Sequence, residues 1–152
     1  MGWFGQPMRV LIFNVLLIAI CGYASWRGGG PERFVAALYL VAAVTTRTAW
    51  LAGTSRYANV EWGLFAIDFL MLLALTALAL KADRFWITPA ASLQLIMVGI
   101  HISKMVYPGF LGWAYAVTSN FLSYPMLLLL AVGTWRHQRR SKTSGADPSW
   151  SN

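Results

Sequence analysis

The chain reads as an all-α integral membrane protein, an up-and-down bundle of five transmembrane helices. Three observations carry that reading. Of its 152 residues, 58% are hydrophobic and only 11% charged, too apolar for an ordinary soluble domain of this size. The apolar residues fall into five stretches, roughly 10–26, 34–52, 61–80, 89–106 and 110–135, each about as long as a helix must be to cross some 30 Å of hydrocarbon. The links between them are short and several carry glycine or proline, which makes successive helices antiparallel neighbours. Residues 1–140 form one helical domain on this reading, and the polar segment 141–152 is expected to be a disordered cytoplasmic tail.

The first stretch follows Arg9 and is short enough to suggest a signal sequence. ICGYASW offers no clean small-x-small cleavage site, so it is read as an uncleaved anchor. Cys21 is the single cysteine, which excludes an internal disulfide and a cysteine metal cage. The second stretch opens at Gly28-Gly29-Gly30-Pro31-Glu32. Proline suits a first helical position, and Glu32 suits the positive end of the helix dipole. The third, EWGLFAIDFLMLLALTALAL, contains Asp68 well inside the apolar run. The fourth is expected to start at Thr88-Pro89, leaving Phe85 and Trp86 in an interfacial aromatic belt. The fifth follows the turn Tyr107-Pro108-Gly109. Inside it Pro125 removes the bond to the Phe121 carbonyl, which predicts a kink, with Asn120, Ser123 and Tyr124 beside the break.

Basic residues set the orientation. With five spans, one side receives Arg27, Arg33, Lys81, Arg84, Arg136, Arg139, Arg140 and Lys142, and the other receives Arg9, Arg47, Arg56 and Lys104. Eight against four places the C-terminus in the cytoplasm and the N-terminus outside. The net charge of +7 then follows from cytoplasmic basic groups and does not call for nucleic acid. Arg136, Arg139, Arg140 and Lys142 form a basic run that faces lipid headgroups.

The ionisable residues within the spans collect at one depth. Counting from the helix ends puts Arg47, Glu61, Asp68, His101 and Lys104 in the outer half, with Tyr115 near the depth of His101. Asp68 is the most deeply placed of the acids and is expected to pair with Arg47 or with the helix-four stripe Gln94, Met97, His101, Lys104, because an unpaired carboxylate in hydrocarbon is costly. The spacings Gly99/Ser103 and Gly112/Ala116 suit close helix approach.

Several activities lack their residues. His101 and His137 are the only histidines and fall on opposite sides, which argues against a bis-histidine haem. There is no HExxH, no GxSxG elbow and no phosphate loop. No catalytic, cofactor-binding or metal residue is therefore assigned, and no cofactor is expected. The segments EWGLFAIDFLMLLALTALALKADRFW and SYPMLLLLAVGTWRHQRR resemble small uncharacterised multi-spanning inner-membrane proteins of Gram-negative bacteria. That resemblance implies a bacterial inner membrane and brings no activity. The leading expectation is a non-enzymatic accessory or assembly subunit of a membrane complex, partnered by another membrane protein or by copies of itself. The alternative is a small proton- or ion-coupled transporter or channel component using Asp68, Arg47 and His101.

Overall fold

A computed structural model describes residues 5–51, 58–82, 84–106 and 112–144, with side chains over 8–48, 62–82, 84–106 and 121–143. The elements among the described residues are all α-helices: α1 Gly5–Arg27, α2 Gly30–Leu51, α3 Ala58–Lys81, α4 Ile87–Val106 and α5 Gly112–Ser144. The elements are those the apolar stretches predict, with shifted ends. α4 begins two residues before Pro89, so Thr88 and Pro89 lie inside its first turn, where a missing amide costs nothing because no intrahelical partner exists for it. α5 runs on through Trp135 to Ser144. Its last turns contain no glycine or proline before Gly145, and the Thr143 hydroxyl donates to the Arg139 carbonyl at 3.0 Å. Residues 141–144, expected to start a disordered tail, are therefore helical. The remainder of that segment lies outside the described residues.

The helices close into a ring. α1 packs on α2, α2 on α3, α3 on α4, α4 on α5, and α5 returns to α1; α2 also touches α5 across the ring. The links between α1 and α2 and between α3 and α4 lie at one end, with Arg27, Arg33, Lys81, Arg84 and the basic turns of α5. We call this the basic end.

The core sits toward that end. α1 contributes Leu17, Cys21 and Ala24; α2 contributes Val35, Ala36 and Tyr39; α3 contributes Leu75 and Leu78; α5 contributes Met126, Leu127 and Leu130. On each helix these residues recur at three- and four-residue spacing, so one stripe points inward. On α4 the inward stripe is Ile87, Ala90, Gln94, Met97, Val98 and His101; two of its six members are polar.

The outward faces are apolar as well. Ile18, Leu70, Leu73, Leu80, Leu95 and Val106 are all exposed. A bundle this small with apolar side chains facing both in and out suits surroundings that are themselves apolar. Among the described residues, three helices are long and apolar enough to cross a membrane, over Met8–Arg27, Trp62–Lys81 and Ile87–Val106. α2 carries Glu32, Arg33 and Arg47 within its 22 residues. α5 carries the basic run in its last turns.

Candidate functional site

Two clusters of buried polar groups lie at different depths. The first joins α3 to α4 beyond the core. The Asp68 carboxylate accepts through Oδ2 from His101 Nε2 at 2.8 Å and through Oδ1 from Gln94 Nε2 at 2.9 Å. Gln94 Nε2 also reaches the Asp68 carbonyl at 3.0 Å. Gln94 and His101 are two turns apart on the same face of α4, so both meet one carboxylate on the neighbouring helix. The imidazole is buried and the Asp68 side chain is 22% exposed. Phe65 stands edge-on to the imidazole, 6.3 Å between centroids, and stacks on Phe69. Aromatic rings thus cover the pair from α3.

Other residues of the expected cluster are placed differently. Arg47 is exposed and makes no ion pair with Asp68. The reason is directional: the Asp68 side chain leaves α3 toward α4, whereas Arg47 stands on α2, which packs against another side of α3. Lys104 is half-buried one turn beyond His101. Glu61 and Tyr115 lie in α3 and α5, with side chains outside the described residues, as is that of Asn120. Pro125 lies inside α5, which continues as α-helix on both sides of it. Tyr124 meets Phe13 of α1 edge-to-face at 5.6 Å, tying the two helices, and Ser123 is half-buried.

The second cluster lies at the basic end and was not expected. Glu32, in the first turn of α2, is completely buried. Its Oε1 accepts from Trp86 Nε1 at 3.2 Å and lies 3.7 Å from Arg84 Nε. Arg84 in turn donates through Nη2 to His137 Nδ1 at 3.4 Å. The second oxygen, Oε2, is buried without a hydrogen bond from the protein and lies beside Gly29. A Cβ on Gly29 would sit 2.9 Å from His137 Cε1 and 3.0 Å from Glu32 Oε2, so a glycine is what lets the turn carry both groups. Gly133 is required for a parallel reason: a Cβ there would lie 2.6 Å from Cδ1 and Cε2 of the Trp86 indole.

Sequence reasoning read these residues singly. Glu32 was a dipole partner, Arg84 a topology charge and Trp86 an interfacial anchor. The structure corrects the last: Trp86 is buried at 4% exposure, while Phe85 beside it is 81% exposed. The usable signal was present, because Glu32 and Arg84 both adjoin turns at the same end of an antiparallel bundle.

Chemically, the first cluster is a carboxylate–imidazole pair joined by a direct hydrogen bond. The second is a carboxylate bracketed by a guanidinium and an indole. Among the described residues, no three His, Cys, Asp or Glu side chains gather as a metal set. Comparisons with known protein families, with characterised proteins and with solved structures find no match to this chain. The class defined by fold and site is a helical bundle with three candidate membrane-spanning helices and two internal polar clusters.

Proposed function

We propose that this chain is a non-enzymatic multi-pass protein of the bacterial inner membrane and acts as an accessory or assembly subunit of a larger membrane complex. All five helices cross on this reading, with the N-terminus outside and the C-terminus in the cytoplasm. The observation that carries it is that the acid of each cluster meets buried polar partners from another part of the bundle. Asp68 takes both Gln94 and His101, and Glu32 takes Trp86 and Arg84. In lipid, helices gain little from burying apolar surface against each other, so close packing and hydrogen bonds between elements order a bundle. Outside, α4 presents Gly99, beside which an added Cβ would meet nothing within 4 Å. Small residues facing outward suit close approach of another helix.

The test is native-state sizing from membranes. The complex is expected to exceed the single chain, and Gly99→Leu should release the chain from it without preventing insertion. An unchanged complex in Gly99→Leu, or a chain that runs alone in native membranes, contradicts the reading. A second reading, a proton- or ion-coupled transport component, is favoured by the residual exposure of the Asp68 carboxylate beside His101. With Arg47 turned away, that reading rests on Asp68 and His101.

A further inference from the structure

We propose that the groove between the start of α4 and the last turns of α5 binds an anionic phospholipid, with its phosphate on Arg136 and Arg140. The inference rests on the membrane placement proposed above and is separate from the accessory role. The groove is lined by Phe85, Trp86, Leu129, Val132, Arg136 and Arg140. The α5 members follow at intervals of three, four and four residues, which puts them on one helix face. That face passes from apolar to basic over about 16 Å of helix. Its lower part suits the upper acyl chain and its upper part suits a headgroup.

The opposite wall is aromatic and fixed. Trp86 is held by its hydrogen bond to Glu32 and by the close approach of Gly133. Phe85 is exposed and stands where an interfacial aromatic ring would lie against a lipid. Arg136 and Arg140 are one turn apart and exposed, so two planar guanidinium forks can converge on one phosphate. The buried Glu32 meets Trp86 and Arg84 through Oε1. A free phosphate would use only the basic half of this surface, and a zwitterionic lipid would bring its own cation beside the arginines. Arg139 provides an internal comparison, because its guanidinium lies 4.4 Å over the Trp135 ring and does not line the groove.

The experiment uses the full chain in detergent micelles, with phosphatidylglycerol or phosphatidylcholine of identical acyl chains added. Retained lipid is read by native mass spectrometry and stability by the thermal unfolding midpoint. Phosphatidylglycerol is expected to be retained and to raise the midpoint more than phosphatidylcholine. Each of Arg136→Gln and Arg140→Gln should weaken retention roughly fivefold, as expected for one basic residue against an anionic headgroup. Arg139→Gln should leave it unchanged, with helicity of all variants checked by circular dichroism. Equal effects of the two lipids on the unmodified chain would overturn the proposal without recourse to variants. So would an equal loss in Arg139→Gln, which would mark diffuse charge, or an equal midpoint shift from inorganic phosphate. Release of the chain from membranes by alkaline carbonate would count against the membrane reading itself. A carbonate-resistant chain with no headgroup preference would count against the groove alone.

Discussion

Glu32 and Asp68 are the two acids with described side chains, and they meet opposite solutions to the same problem. A buried carboxylate is costly unless charge and hydrogen bonds compensate it. Asp68 is compensated by neighbours on one adjacent helix. Glu32 is compensated across the α3–α4 link. Asp68 with His101 was legible in the sequence, because hairpin geometry lets depth be counted from each turn. Gln94 was legible as a member of the same stripe. The Glu32 site was legible only as shared depth, with Glu32 and Arg84 adjoining turns at one end, since no periodicity describes the backbone path that brings Trp86 and Arg84 onto the carboxylate. Truncation by Glu32→Ala would leave Arg84 buried against Trp86 and should cost about 3–5 kcal/mol, read by thermal or denaturant unfolding in detergent. Little change there would show the pair to be inessential. For the other cluster, Asp68→Ala and His101→Ala together should cost about 1 kcal/mol less than the sum of the single losses. Strict additivity would mean that the 2.8 Å contact contributes no coupling. Gly133→Ala should destabilise by about 1–3 kcal/mol through overpacking on the indole.

At the scale of elements, the apolar stretches located all five helices but misplaced some of their ends, among them the start of α4 and the stop of α5. α5 overran its expected stop because nothing in the basic run breaks a helix, and charge alone does not end one. The inward stripe of α4 followed from spacing, since two polar residues at helical intervals among apolar ones must face a partner. Whether α2 and α5 cross with the three more apolar helices is open to direct measurement. Topology reporters at Arg56 and at the C-terminus should report opposite compartments if all five cross. They should report the same compartment if only α1, α3 and α4 do. Within α5, Pro125 leaves the Phe121 carbonyl without its usual amide. Spin labels on either side of Pro125 should move apart in Pro125→Ala as the helix straightens, and an unchanged distance would contradict a kink.

Across the whole molecule, the two polar clusters are separated along the bundle by the core. Val35, Tyr39, Leu75, Leu78, Ala90 and Leu130 lie between the Glu32 end and the Asp68 end of their respective helices. A proton passing from one cluster to the other would have to cross this apolar layer, in which the Tyr39 hydroxyl is buried without a protein hydrogen bond. The central claim is therefore that the clusters order the helices and do not form a conducting path. Reconstitution of the purified chain into liposomes containing a pH-sensitive dye tests this most directly, with a potassium gradient and valinomycin to drive proton entry. The account predicts the same rate of acidification as in protein-free vesicles. A faster rate that disappears in Asp68→Asn, with helicity and unfolding midpoint intact, would contradict it and assign the chain to proton-coupled transport.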